Sequence, residues 1–188
     1  MRRLGLLGCV LASAGVAHAD RVASTGFFAE GGLGAVSFLP ATSSDAAVGP
    51  AMNLRVGRDL FSFLSLGVYI AASSHEATTP PPPEGQWFQL YRGGADARIG
   101  GRFDSIAAFV EGGLGGSMIS SNVLEKVMIT KPGSHYSLTI HGGGGFEYQL
   151  ENRHYALGAA VDFFLEPQFK NMKALESRLY LRYTYGGG

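Results

Sequence analysis

From His154 to Leu165, and again from Arg178 to Tyr185, side chains alternate in steps of two with every charge confined to one parity. Tyr155, Leu157, Ala159, Val161, Phe163 and Leu165 share one face, and His154, Ala156, Gly158, Ala160, Asp162 and Phe164 share the other. Strand side chains repeat every two residues and helical ones every 3.6, so this pattern excludes amphipathic helices and demands a sheet with one charge-free face. The same split recurs where Arg92, Asp96 and Arg98 oppose Tyr91, Gly93, Ala95, Ala97 and Ile99, and where Thr139, His141, Glu147 and Gln149 oppose Leu138, Ile140, Phe146 and Tyr148. The chain is predicted to be all-β, with strands over 26–38, 50–58, 61–72, 87–100, 104–118, 135–149, 154–165 and 177–185.

The connections sharpen the fold. Asp59-Leu60, Gly101 to Phe103 and Leu150 to Arg153 are short links; Leu39 to Gly49, Ser73 to Gln86, Ile119 to Ser134 and Glu166 to Glu176 are long ones. Short and long links alternate strictly, which puts all tight turns at one end of an antiparallel bundle, the pattern of a transmembrane barrel. Each strand reaches the ~9–11 residues that a tilted crossing needs. The expected architecture is an eight-stranded antiparallel up-and-down transmembrane β-barrel. Period alone permits the reverse orientation, a soluble lipocalin-like barrel with its apolar face inside.

Composition supports the membrane orientation. Only 16% of the residues are charged, with 15 basic against 15 acidic side chains and no basic run, so the electrostatic footprint of a nucleic-acid binder is missing. Glycine supplies 28 of the 188 residues, which suits an inner face that must leave room for long charged side chains. Phe27, Phe38, Phe61, Trp87, Tyr155, Phe163 and Tyr185 lie near strand ends, where interfacial girdles belong.

The amino terminus reads as an export signal: Met1-Arg2-Arg3 is basic, Leu4 to Val16 apolar, and Ala17-His18-Ala19 a small-x-small cleavage site. Residues 1–19 are therefore expected to be a signal peptide and 20–188 one barrel domain. Cys9, the only cysteine, falls in the leader, so no disulfide is expected after export.

The inward parity collects Glu30, Asp96, Glu111, Glu147 and Asp162 with Arg55, Arg92, Arg98, Arg178 and Arg182. An eight-stranded barrel is just wide enough for side chains to fill. The ten charges are thus expected to neutralise one another as a polar plug; a charged conduit or gate is the competing reading. Counting from the short-turn end sets Glu30 beside Arg182, and Asp162 beside Arg178. Phe28-Ala29-Glu30-Gly31-Gly32-Leu33-Gly34 also echoes Phe109-Val110-Glu111-Gly112-Gly113-Leu114-Gly115, which suggests a duplicated half barrel.

Catalytic and metal-binding patterns are thin. Ser73, Ser74, His75 and Glu76 adjoin in an expected loop, and Ser134 precedes His135, so a Ser/His pair at the rim is the only nucleophilic arrangement on offer. His75, His135, His141 and His154 lack metal-ligand spacing. Gly142 to Gly145 lies in a strand with no helix after it, which excludes a phosphate loop.

Gly145-Phe146-Glu147-Tyr148-Gln149-Leu150, the short turn, Tyr155-Ala156-Leu157-Gly158 and the final Leu179-Tyr180-Leu181-Arg182-Tyr183-Thr184-Tyr185 resemble small outer-membrane β-barrels of Gram-negative bacteria, such as the transmembrane domain of outer membrane protein A. The resemblance implies an outer-membrane location, contact with outer-membrane lipid and lipopolysaccharide, and folding by the barrel assembly machinery, whose signal the last strand resembles. It also implies a structural or surface-interaction role for the long loops, toward an extracellular ligand the residues do not name, and the thin catalytic and metal-binding patterns add the expectation of no enzyme activity and no cofactor. Porin-like transport of small or hydrophobic solutes is the alternative, ahead of a lipid-modifying enzyme or a soluble periplasmic binder. The lipid A deacylase barrels carry His-x-Ser late in the chain, where this sequence has His154-Tyr155-Ala156.

Overall fold

A computed structural model describes residues 25–39, 46–77, 87–120, 135–169 and 171–186; the expected signal peptide lies outside the described residues. Eight strands follow one another, β1 (Phe27–Phe38), β2 (Gly49–Phe61), β3 (Leu64–Glu76), β4 (Trp87–Phe103), β5 (Ile106–Ile119), β6 (Tyr136–Gln149), β7 (Tyr155–Glu166) and β8 (Met172–Tyr185). Each pairs antiparallel with its neighbour in sequence, and β8 returns to β1 to close the barrel. Closure leaves no unpaired edge, which a bilayer requires because its core offers no water to exposed backbone groups.

The orientation follows from exposure. Leu33 and Leu179, register partners across the β1–β8 seam, are 71% and 70% exposed, while Glu30 and Asp162 are 3% and 1% exposed. Apolar residues face out and charges face in, the reverse of a soluble barrel. Phe27, Phe61, Tyr155 and Tyr185 ring the short-turn end on the outside, and Trp87 and Phe163 lie toward the other end. Phe38 departs from the expected girdle: its parity turns it into the lumen, where it is buried.

Several strands run further than their sequence patterns suggested. The β2–β3 turn is Ser62-Phe63 and not Asp59-Leu60, because Asp59 turns inward to meet Arg182; the ladder shifts register between Asp59 and Phe61. The β4–β5 turn is Asp104-Ser105, with Asp104 at φ 54°, a left-handed conformation that a short aspartate side chain tolerates. Ser73 to Glu76 belong to β3 and not to a loop. The largest change is in β8, which starts at Met172, so that residues 167–171 alone join it to β7 and the strict alternation of link lengths fails there. The cause is Glu176, whose carboxylate is held inside the barrel and extends the strand past the expected start.

Candidate functional site

The lumen is the site, and the alternation of each strand delivers its side chains. At the short-turn mouth Arg182 donates to Asp59 at 2.5 Å, and Arg102 donates to Gln149 at 2.6 Å and reaches Glu147 at 3.4 Å. One layer deeper Arg98 is the hub: it meets Glu111 at 2.9 Å, Glu30 at 3.1 Å and Glu147 at 3.4 Å, with its guanidinium 4.0 Å over the Phe109 ring. Arg55 donates to Asp96 at 2.7 Å, and Arg178 pairs with both Asp162 and Glu111. Arg92 donates to Glu176 at 2.5 Å, and Asn53 donates to the same carboxylate at 2.8 Å.

The sequence echo has a structural meaning here. Glu30 on β1 and Glu111 on β5 occupy equivalent positions of the repeated heptapeptide, four strands apart around the barrel, and both grip Arg98. Arg98 and Glu111 are register partners on β4 and β5, and the Arg98–Glu30 ion pair crosses the lumen to β1. Glycines make the room: an added Cβ at Gly67 would meet Arg55 and Asp96, one at Gly143 would meet Asp162, and one at Gly158 would enter the Tyr180 ring. What remains in the middle is a cavity of about 30 Å³ lined by Tyr69, His141 and the surrounding charges. That volume admits one or two waters.

Toward the loop end the lumen changes character. Val36, Phe38, Ala51, Leu90, Met172 and Ala174 form an apolar cap, packed against Phe88, Ile119 and Phe169. Burying these side chains away from water stabilises the closed end, at roughly 1.5–3 kcal/mol for each large one.

All ten charges singled out in the sequence are in this lumen, with side chains no more than about a tenth exposed. Asp162 and Arg178 pair as their positions implied. Glu30 and Arg182 are register partners at the seam, yet they do not pair: Glu30 is taken by Arg98 and, at 3.7 Å, by Arg55, while Arg182 turns toward the mouth. The expected balance of five acids and five arginines is also corrected. Asp59, Glu166, Glu176 and Arg102 join them, so the described lumen holds eight carboxyl groups and six guanidiniums. Parity carried the missing signal: Glu166 is in phase with Asp162, Glu176 with Arg178, Asp59 with Arg55, and Arg102 with Arg98.

The Ser/His pair exists, but inside the barrel wall. His75 Nδ1 lies 3.0 Å from the Ala47 carbonyl and must donate to it, which leaves Nε2 to accept the Ser73 hydroxyl at 2.8 Å. That is the hydrogen-bond order of an activated serine. However, Ser73 and His75 are 4% and 0% exposed, with the Phe38 ring 4.7 Å from the imidazole, so no acyl group has access in this conformation. His154 instead donates through Nδ1 to the Thr184 carbonyl at 2.9 Å. Among the described residues, no group of three or more His, Cys, Asp or Glu could hold a metal ion.

No protein-family model matches the chain, and no curated protein matches it in sequence. Solved structures do. Neisserial surface protein A superposes with a TM-score of 0.65 at 16% identity, covering 87% of this chain and 100% of its own. The outer membrane protein OprG from Pseudomonas aeruginosa gives 0.62 at 12% identity, covering 88% and 98%. The N-terminal β-barrel domain of Pseudomonas aeruginosa OprF gives 0.54 at 11%, covering 85% and 98%. The chain therefore has the fold of the eight-stranded outer-membrane β-barrels.

Proposed function

We propose that this chain is an integral outer-membrane barrel with a structural or surface-interaction role, whose lumen is closed and whose loop end meets the outside. The carrying observation is the Glu30–Arg98–Glu111 bridge, which spans the lumen between opposite strands above a cavity of only about 30 Å³. A passage for solutes would need that bridge to part, and the apolar cap would still lie beyond it. The outward leucines favour a bilayer over water as the surrounding medium, which argues against a soluble periplasmic binder.

Single-channel recording of the purified chain in planar bilayers at mildly acidic pH tests the reading. Closed traces with rare, small openings are expected. Large, stable conductance would favour solute transport and overturn the closed lumen.

A further inference from the structure

The outer parity of the described strands carries three charged side chains: Glu76 and Lys173 at the loop end, and Arg58 toward the short-turn end of β2. Arg58 is exposed, and its guanidinium lies 5.2 Å from the ring centre of Phe27, its register partner on β1. A cation at that distance is drawn to the ring face. Among the described residues Arg58 forms no ion pair. The acid next to it in sequence, Asp59, turns into the lumen, where Arg182 holds it.

The surroundings of Arg58 are apolar on every side. On the outer face Val56 precedes it, Leu60 and Phe61 follow it toward the turn, and Phe27 and Leu66 flank it on β1 and β3, all of them exposed. A guanidinium stays charged at any working pH. Arg58 is thus a permanent cation set within the lipid-facing band and not beyond its edge. A charge on that face is costly to a degree that depends on depth, and an anion at the same depth offsets the cost. Apolar side chains border the position both above and below, which favours an anion that arrives on an apolar molecule. The wall next to Arg58 has room for one: Ala29 and Gly31 face outward on β1, between Tyr183 and Leu181 of β8 and Val56 and Leu54 of β2. An added Cβ at Gly31 would meet nothing closer than Leu54 at 3.6 Å. Tyr185, register partner of Phe27 on β8, brings an exposed phenol to the same level.

We propose that Arg58 binds the phosphate of an anionic phospholipid in the leaflet around the short turns, with one acyl chain over Ala29 and Gly31. The planar guanidinium fork matches two phosphate oxygens. A headgroup with net negative charge, such as phosphatidylglycerol, is preferred to a zwitterionic one, whose own ammonium competes for the phosphate. This adds a lipid site to the barrel proposed above and rests on its lying in a membrane.

Tryptophan quenching by brominated lipids tests the site. Trp87 is the only tryptophan, so in a Trp87→Phe chain Leu66→Trp gives a single reporter beside Arg58. Val110→Trp gives one on the outer face of β5, where the register partners Ile99 and Gly144 are uncharged. Each chain is measured in mixed phosphatidylglycerol and phosphatidylcholine vesicles with one or the other lipid dibrominated, which yields the relative binding constant. The Leu66→Trp reporter should favour phosphatidylglycerol several-fold, and Val110→Trp should give a ratio near one. Adding Arg58→Gln should bring the Leu66→Trp ratio to that of Val110→Trp, and Arg58→Lys should keep part of the preference. Should Arg58→Gln fail to insert, the comparison of the two reporters still decides. A ratio near one at Leu66→Trp, an equal preference at Val110→Trp, or a preference that survives Arg58→Gln overturns the lipid site alone. Loss of the preference when inorganic phosphate replaces chloride at equal ionic strength assigns Arg58 to a soluble anion and overturns it too. Quenching by neither lipid at either reporter overturns the membrane barrel itself.

Discussion

Replacing Arg98 with Met tests whether the lumen is held by its cross-barrel ion pairs. The guanidinium meets three carboxylates at 2.9, 3.1 and 3.4 Å, has 5% side-chain exposure and stacks on Phe109. Breaking a buried pair by removing one partner costs about 3–5 kcal/mol. The low end of that range applies, because each acid keeps a second cation: Glu30 has Arg55, Glu111 has Arg178, and Glu147 has Arg102. Arg182→Met removes an equally long side chain, but its partner Asp59 is 12% exposed at the mouth and can rehydrate. Its cost should fall toward the low end of about 1–3 kcal/mol. Arg98→Lys, which keeps the charge but loses the planar fork, should lie between them. Equilibrium urea unfolding in phospholipid vesicles measures all three. Equal destabilisation by Arg98→Met and Arg182→Met would refute the hub.

Gly158→Ala should destabilise by about 1–3 kcal/mol through overpacking, since its Cβ would collide with the Tyr180 ring, whereas Gly101→Ala, with nothing within 4 Å, should be neutral in the same assay. Leu179→Arg places a charge on the outer face at the middle of β8 and should cost about 2–4 kcal/mol in vesicles; a change within the ~0.5 kcal/mol usual for water-exposed positions would deny that this face meets lipid.

The barrel was legible in the sequence because side-chain polarity alternates along every strand and link length alternates from β1 as far as β7. Strand ends were not, and for a physical reason. Polar residues such as Ser73, His75, Glu166 and Glu176 read as loop when judged by composition, yet inside a polar lumen they are ordinary strand residues. Extending each parity by two or four positions recovers every lumen charge that was missed. Partner choice lay beyond the sequence altogether. Glu30 and Arg182 share a register, but long arginines reach across the barrel, and the pairs that form are decided by the rotamers of Arg98 and Arg55. Phe38 fails as a girdle residue for the same reason that Glu176 succeeds as a lumen acid: parity outranks proximity to a strand end.

Scanning spin labels along 177–184 of β8 in vesicles tests the central claim most directly, and with Cys9 the only native cysteine, a Cys9→Ser background makes each label unique. The account predicts a period of two: labels at Leu179, Leu181 and Tyr183 relax with lipid-soluble oxygen, and labels at Arg178, Tyr180 and Arg182 are shielded from both oxygen and a water-soluble nickel reagent. Alternation in the opposite phase, or free access of the nickel reagent to Tyr180 and Arg178, would contradict a closed, charge-filled barrel in a membrane.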